Sequence, residues 1–298
     1  MTDSEPHTEV DTDSKNPHDS AGVLPTLLTV AQKAAEAGAA VLAERDGAAP
    51  AGQPLERSGH GITTKSSESD FVTDFDRRAE EAVRSVINRL RPHDVVSGEE
   101  YGTTEVSDPT GYRWSIDPLD GTTNFVRGIV YYGTSVGLQA PDGQWILGVV
   151  NAPALQKKWW AARGLGAFTA RTGTDAVPIT GPHGALSAGL LGTGFGYDPA
   201  RKAAQARSVA LLNEHFGNIR RLGAAALDIC MVAEGTQDAY AEYGIQEHDW
   251  AAAAVIAEEA GVQVRRPTAA ASADSADWCI VGDIGIDPRK LDPAPVAT

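Results

Sequence analysis

The pattern of apolar and polar positions predicts helices near the start of the chain and mixed elements after them. From Val23 to about Arg45, apolar residues recur at the spacing of one helix face, which predicts a long first helix. The Gly-, Pro- and Ser-containing stretch 47–64 predicts a loop. A second helix is expected to begin near Thr73, a suitable N-cap, and to end at Pro92.

Short apolar runs then predict strands, and helical spacing returns in the last third of the chain. The predicted strands are 94–97, 112–117, 131–139, 145–151, 157–161, 188–192, 219–222, 238–242, 262–266 and 278–281. The predicted helices are 199–215, 223–234 and 249–260. A helix pair, then a run of strands, then alternation predicts a layered α/β fold with mixed sheets, not a regularly alternating parallel one.

The charge balance is strongly acidic and unevenly spread. The 298 residues include 40 Asp and Glu against 25 Lys and Arg, for a formal net charge of −15. Residues 1–20 hold six acids and one base, so a third of the excess lies there. Because this segment has almost no apolar residues, we expect a disordered acidic tail.

Composition also excludes several classes of protein. An acidic chain lacks the clustered Lys and Arg that neutralise phosphates, so direct binding of nucleic acid is not expected. The sequence has no run of about 18 apolar residues that would predict a membrane span, and its first residues do not resemble a secretory signal. Cys230 and Cys279 form neither a disulfide framework nor a zinc spacing, which favours a reducing cytoplasm.

The segment from Trp114 to Phe125 is the strongest candidate for chemistry. Since Pro118 cannot donate to a sheet ladder, the preceding strand is expected to end at Asp117, with Asp117 and Asp120 across one tight turn. Two facing carboxylates repel unless a cation lies between them, and Mg²⁺ prefers such oxygen ligands together with substrate phosphate. The N–H groups of residues 121–123 would hold an anion beside them. The alternative is an Asp/Gly turn that caps a helix.

Three other acidic segments allow both a functional and a structural interpretation. Glu99, in Gly98-Glu99-Glu100, is either a further metal ligand or part of a solvated turn. Asp76, in the first turn of the second helix, either orients a water or complements the helix dipole. Asp249 is either a ligand or an N-cap. The neighbouring His248 is either a ligand or an ordinary surface or core histidine.

Together, these segments resemble the inositol monophosphatase family, its bacterial branch in particular. The matching motifs are Lys65-Ser66-Ser67 through Asp76, Gly98-Glu99-Glu100, Asp117 through Phe125, and Asp249 through Gly261. The resemblance runs from about residue 25 to about residue 285. It implies an α-β-α-β-α sandwich over residues 21–298, with a metal-binding part at about 21–185 and a C-terminal α/β part at about 186–290. The implied activity is Mg²⁺-dependent hydrolysis of a phosphomonoester.

The resemblance also implies a role for individual residues. The implied metal ligands are Glu99, Asp117, the Leu119 carbonyl, Asp120 and Asp249. The implied catalytic residues are Asp76, Glu99 and Thr122, of which Asp76 and Thr122 position and activate the attacking water. The implied substrate contacts are Gly121, Thr122, Gly223, Ala224, Ala225, Glu242 and Asp249. Lys65 matches a lysine near the family's site and is given no role.

Charge supports this assignment independently. The four acidic side chains among the implied ligands total −4, so two Mg²⁺ ions would neutralise them and a third would make the pocket attractive to phosphate. The order His248-Asp249-Trp250 departs from the Trp-Asp that is common in the family. We expect this departure, with the titratable Glu247 and His248 near the alcohol pocket, to affect substrate choice more than hydrolysis.

The substrate and the assembly stay open at this point. Inositol monophosphate or a similar small polyol or sugar phosphate is the first hypothesis, and relatives with the same core act on histidinol phosphate, fructose bisphosphate or 3′-phosphoadenosine phosphate. A different class of function, a non-enzymatic partner of RNA polymerase or the ribosome, is known among bacterial relatives. The resemblance also implies a homodimer and sensitivity to lithium.

Overall fold

The fold was analysed in a computed structural model that describes residues 22–50, 52–56, 59–65, 71–184, 189–267 and 278–291. The predicted tail 1–20 lies outside the described residues. The helices are α1 (Leu24–Ala43), α2 (Arg45–Ala48), α3 (Asp74–Leu90), α4 (Thr122–Arg127), α5 (Pro199–Leu212), α6 (Ala225–Ala233) and α7 (Glu247–Glu259). The strands are β1 (Thr63–Thr64), β2 (Phe71–Val72), β3 (Val95–Gly98), β4 (Gly102–Thr103), β5 (Arg113–Asp120), β6 (Gly133–Gln139), β7 (Trp145–Ala152), β8 (Lys157–Ala162), β9 (Gly166–Arg171), β10 (Val177–Ile179), β11 (Leu190–Thr193), β12 (Asn218–Arg220), β13 (Ala239–Tyr243), β14 (Val264–Arg265) and β15 (Trp278–Val281).

Two mixed sheets organise the described part of the chain. The larger has the order β10-β9-β8-β7-β6-β5-β3-β4, in which only β3 and β5 are parallel. The smaller has the order β12-β11-β13-β15-β14, and β11 is parallel to both of its neighbours. The predicted fold class, with mixed sheets, is therefore confirmed.

Helices and sheets alternate in five layers, with helices on the outer face of each sheet and between the two sheets. Helices α1 and α3 pack together on one face of the larger sheet, and α6 and α7 lie between the two sheets. The end of α5 packs on the outer face of the smaller sheet, where Leu212 joins a cluster with Leu191 and Trp278. Burial of these apolar faces is what holds the layers together.

Small residues let α7 lie very close to the larger sheet. A Cβ atom on Gly148 of β7 would lie 2.1 Å from the Ala252 carbonyl oxygen of α7, and one on Gly137 of β6 would lie 3.0 Å from the Ala252 nitrogen. A side chain at Gly148 would collide with the helix backbone, and one at Gly137 would be tightly packed against it. The position of α7, and of the residues at its N-terminus, is thus set by backbone contact with the sheet.

The structure corrects the predicted end of the strand at Asp117. Strand β5 continues through Pro118 to Asp120. Asp117 pairs with Ser135 and Asp120 with Gly133, so β5 gains one residue on β6 between these pairs. Such a bulge accommodates a proline, which has no N–H to offer the ladder. The carbonyl of Pro118 instead accepts a hydrogen bond from the Thr134 hydroxyl at 2.9 Å.

Five strands are absent from the predicted set, namely β9, β10 and the two-residue strands β1, β2 and β4. Strand β9 alternates small and polar residues around Phe168, and β10 has Pro178 at its centre, so neither shows the apolar run that predicts a strand. They are built by pairing with β8 and with each other at the edge of the larger sheet.

The larger sheet ends at residue 179 and the smaller one starts at residue 190, on either side of the predicted division near residue 185, which stays a prediction.

Candidate metal-dependent active site

One cavity of about 700 Å³ collects almost all the residues predicted for the site. Its lining includes the predicted residues Glu99, Asp117, Leu119, Asp120, Gly121, Thr122, Gly223, Ala224, Ala225, Glu242 and Asp249, and also Lys65 and His248. These residues come from strand ends of both sheets and from the N-terminal ends of α4, α6 and α7. Asp76 does not line the cavity but contacts Thr122, which does.

The bulge of β5 shapes the acidic floor of this cavity. The Asp117 carboxylate accepts the Leu119 N–H at 3.0 Å. The two oxygens of Asp120 accept the N–H groups of Ala225 at 3.0 Å and Ala226 at 2.7 Å, the first amides of α6. The predicted substrate contact Ala225 therefore already donates its N–H to a predicted metal ligand.

A second buried acid holds Glu99 in place. Glu80 of α3 is fully buried and accepts the N–H groups of Glu100 at 2.7 Å and Tyr101 at 3.2 Å, while Arg84 pairs with it at 2.7 Å. The turn after β3 is thus held by the Glu80 carboxylate, and Glu99 lines the cavity. Lys65 lies 2.9 Å from Glu99 and also pairs with Glu100. Burial alone would lower the pKa of Lys65, but the carboxylates of Glu99 and Glu100 more than offset it, and the pKa is raised.

The carboxyl group of Asp76 caps a helix and also contacts a residue that lines the cavity. Its Oδ2 accepts the Thr73 N–H at 2.7 Å in a capping box, which confirms Thr73 as the N-cap of α3. Its Oδ1 lies 3.1 Å from the Thr122 hydroxyl, which is equally close to the Leu119 carbonyl. Burial raises the pKa of Asp76 to about 7, with the carboxylate of Glu99 adding to the shift.

The N-terminus of α7 presents Asp249 and His248 to the cavity but turns Glu247 away. Gln246 is the N-cap, and Asp249, the third residue of the helix, accepts its N–H at 2.6 Å, so the interpretation of Asp249 as the N-cap is wrong. Glu247 pairs through both oxygens with Arg113 and lines a second cavity. The expectation that Glu247 adds a titratable group to the alcohol pocket is therefore wrong, because Arg113 draws its side chain to the other side of the helix.

Glu242 is buried at the end of β13 and accepts a hydrogen bond from Tyr240. Burial raises the pKa of Glu242 to about 7. A Cβ atom on Gly194 would lie 2.0 Å from the Glu242 carboxylate, so the glycine makes room for this side chain. Glu242 thus has a defined orientation toward the cavity.

The charge of the site fits a bound divalent metal. Burial, with repulsion from Glu99 and Asp120, raises the pKa of Asp117 well above its usual value. Burial and the Asp249 carboxylate do the same to the pKa of Asp120. Buried carboxylates this close together lack enough positive charge to balance them, and oxygen-rich sites of this kind suit hard cations. Among the described residues, Glu99, Asp117 and His248 also have possible ligand atoms that all lie within 4.8 Å of one another.

Sequence reasoning missed part of the lining. Residues 194–198, which follow β11, and Arg221, just beyond β12, both face the cavity. The available signal was weak but physical: ligands often bind beyond the carboxyl ends of parallel strands, and β11 and β12 are parallel. Identifying these residues required the strand order, which the sequence pattern did not provide.

A layered α/β fold with an acidic, metal-compatible cavity beside helix N-termini fits the class of metal-dependent phosphomonoester hydrolases. Comparison with known proteins then identifies the family. The profile of the inositol monophosphatase family matches residues 24–288, and the chain belongs to that family.

Three relatives show the range of names within this similarity. The inositol-1-monophosphatase SuhB of Mycobacterium tuberculosis is 42% identical over 219 residues, 70% of this chain and 74% of that protein. A histidinol-phosphatase of the same species is 39% identical, over 64% of this chain and 72% of the relative. The Nus factor SuhB of Pasteurella multocida is 36% identical, over 67% and 73%.

A solved structure confirms the fold. The extragenic suppressor protein suhB of Bartonella henselae matches with a TM-score of 0.74 and 28% identity, covering 89% of this chain and 96% of that one. Among the residues described for this protein, no helix is both long and apolar enough to span a membrane.

Proposed function

We propose that this phosphatase hydrolyses inositol monophosphate, or a similar small polyol or sugar phosphate, with Mg²⁺ as its metal. The observation that carries the proposal is the meeting of Glu99, Asp117, Asp120 and Asp249 in one cavity. With the Leu119 carbonyl, these side chains would hold two or three ions. When bound, such ions would lower the pKa of a water and stabilise the charge of the reacting phosphate.

The residues of the chain would do the remaining work. The Thr122 hydroxyl, 3.1 Å from Asp76 Oδ1, would orient the attacking water, and the buried Asp76 carboxyl would take up its proton. Backbone N–H groups of Gly121 and Thr122 would hold phosphate oxygens. Glu242 and the backbone of residues 223–225 would contact the alcohol part of the substrate, with Asp249 at the boundary between metal and substrate.

Release of phosphate from a panel of phosphomonoesters, with and without Mg²⁺, tests the proposal. We expect turnover of inositol 1-phosphate that requires Mg²⁺ and that lithium inhibits. Asp117→Asn should abolish turnover with the fold intact, because it removes one carboxylate from the metal site. The exposed Asp142→Asn is the matched control and should retain full activity. Full activity of Asp117→Asn would refute the proposed site.

A second substrate is favoured by one specific observation, the similarity to a histidinol-phosphatase. The same panel should therefore include histidinol phosphate, fructose bisphosphate and 3′-phosphoadenosine phosphate. A ratio of kcat/KM at least tenfold in favour of one of these over inositol 1-phosphate would reassign the substrate while leaving the hydrolytic site unchanged.

The name of the Pasteurella relative supports a second candidate function, a non-enzymatic interaction with RNA polymerase or the ribosome. The acidic composition favours contact with protein rather than with RNA. Capture of either assembly by catalytically inactive Asp117→Asn would support this role. If neither assembly is captured, the enzymatic function is the only one supported. Sedimentation of the same sample would separately test the proposed homodimer.

A further inference from the structure

His248 lines the cavity beside the carboxylates and offers a ring nitrogen, which is a softer donor than a carboxylate oxygen. It is the second residue of α7, so its position is fixed by the Gln246–Asp249 capping box and by the close packing of α7 on the larger sheet. Its side chain is 21% exposed and faces the cavity, with Nε2 3.7 Å from Asp249 Oδ1. The ring is therefore held at the rim of the acidic cluster.

The geometry brings this ring within reach of a shared ion. A ring nitrogen of His248 and one carboxylate oxygen each of Glu99 and Asp117 all lie within 4.8 Å of one another. Two ligands about 2.1 Å from the same ion are at most about 4.2 Å apart. The three ligand atoms therefore lie close enough that a small approach toward one another would let them share one ion.

We propose that His248 is a nitrogen ligand to the metal held by Glu99 and Asp117, and that it biases this site toward transition-metal ions such as Co²⁺ or Zn²⁺ relative to Mg²⁺. The proposal rests on the proposed function in one respect, namely that Glu99 and Asp117 bind metal. It goes beyond that function because it assigns a ligand and a metal preference to a residue that the family resemblance leaves without a role.

The chemistry of the donor set supports this preference. Carboxylate oxygens suit Mg²⁺, Ca²⁺ and Mn²⁺, whereas an imidazole nitrogen is a softer donor that suits Zn²⁺, Cu²⁺, Fe²⁺ and Ni²⁺. A neutral imidazole adds a bond without adding negative charge, so Mg²⁺, which responds mostly to charge and keeps its waters, gains little from it. Borderline cations gain a full ligand.

A competing interpretation is an ion pair in which protonated His248 acts as a cation beside Asp249 and Glu99. That role would affect all divalent ions in the same direction, because a positive charge near the site repels each of them. The two interpretations therefore differ in selectivity, which binding measurements report directly without activity.

The experiment titrates metal-free full-length protein with Co²⁺ and, separately, with Mg²⁺ by calorimetry, and records the visible absorption of the Co²⁺ complex. The variants are His248→Gln and His248→Asn, two amides of different reach. The matched control is His93→Gln, an exposed histidine that precedes β3. We expect both variants at 248 to weaken Co²⁺ binding at least tenfold and to change the cobalt spectrum, with Mg²⁺ affinity altered less than threefold. His93→Gln should match the wild type.

Retained Mg²⁺ affinity also shows that the variants are folded. Equal effects on Co²⁺ and Mg²⁺, or no effect on either, would overturn the assignment of His248 as a nitrogen ligand while leaving the metal site itself in place. Failure of the wild-type protein to bind either ion would instead refute the proposed metal site, and with it this inference.

Discussion

At the level of single residues, one carboxyl group can stabilise the fold and also line the cavity or contact a residue that lines it. Asp76 caps α3 through Oδ2 and reaches Thr122 through Oδ1. Asp120 accepts two amides of α6 while lining the metal cavity. The structural and functional interpretations of an acidic residue are therefore compatible, and a sequence motif that looks like a helix cap is not evidence against catalysis.

A residue-level prediction concerns Asp228, which is buried beside the cavity. It accepts hydrogen bonds from Tyr131 at 2.8 Å and Gln237 at 3.2 Å, but burial still raises its pKa to about 7. Because the pKa is higher in the folded than in the unfolded state, the stability that this group contributes is fully present below about pH 4 and is lost as the pH rises to about 7.

We therefore expect Asp228→Asn to flatten the dependence of stability on pH. In the presence of a chelator, the free energy of unfolding of the wild type, measured with urea, should fall between pH 4 and pH 8. Asp228 should account for up to about 4 kcal/mol of that decrease. The Asn variant should lack that part. The exposed Asp142→Asn should keep the wild-type slope, and an unchanged slope in Asp228→Asn would contradict the assignment.

At the level of elements, the sequence pattern was sufficient where local signals decide the structure. Thr73 and the apolar spacing after it placed α3 correctly, and the long first helix and the central strands β6 to β8 lie near their predicted positions. The continuation of β5 through Pro118 could not be predicted, because the bulge exists only in pairing with β6. Strand β10 is likewise defined by its partner and not by its own apolar residues.

The same division applies to the site. The acidic residues that line the cavity could be predicted as site residues because their motifs are continuous in sequence, as in Asp117 to Thr122. The diversion of Glu247 to Arg113 could not, since the two residues are 134 positions apart. Nor could the nearness of His248 to Glu99 and Asp117, which depends on how α7 packs against the larger sheet.

A prediction at this scale tests that packing. Gly148→Ala would set a Cβ atom against the Ala252 carbonyl, an overlap that neither backbone can relieve without moving α7. We expect a loss of about 3 kcal/mol in the free energy of unfolding, measured by urea denaturation, the upper end of the usual cost of overpacking. Weaker metal binding should accompany it, because Asp249 and His248 move with the helix.

The matched control is Gly47→Ala in α2, where an added Cβ meets nothing within 4 Å. It should leave stability unchanged or raise it slightly, as alanine favours the helix. Wild-type stability in Gly148→Ala would show that α7 is held less rigidly than the contact implies.

At the level of the whole molecule, the net charge of −15 has two contributions of different kinds. Part of it lies in residues 1–20, outside the described structure. The acids of the cavity contribute a concentrated negative charge in the interior, where burial first, and then the neighbouring carboxylates, raise the pKa of Asp117 and of Asp120. We therefore expect the buried acids to lower the stability of the metal-free protein, and bound cations to restore it.

The destabilising effect of the buried acids leads to a prediction about metal removal. At pH 8, addition of Mg²⁺ to metal-free protein should raise Tm, since binding to the folded state alone stabilises by about 2.7 kcal/mol at a hundredfold excess over Kd. Asp117→Asn should be more stable than the metal-free wild type, because it removes a buried acid whose pKa is raised on folding, and it should gain little from Mg²⁺. Both are read from thermal unfolding, with Asp142→Asn behaving as the wild type. If Mg²⁺ stabilised Asp117→Asn as much as the wild type, the ion would be binding elsewhere, and the carboxylate cluster would have to be explained by some function other than metal binding.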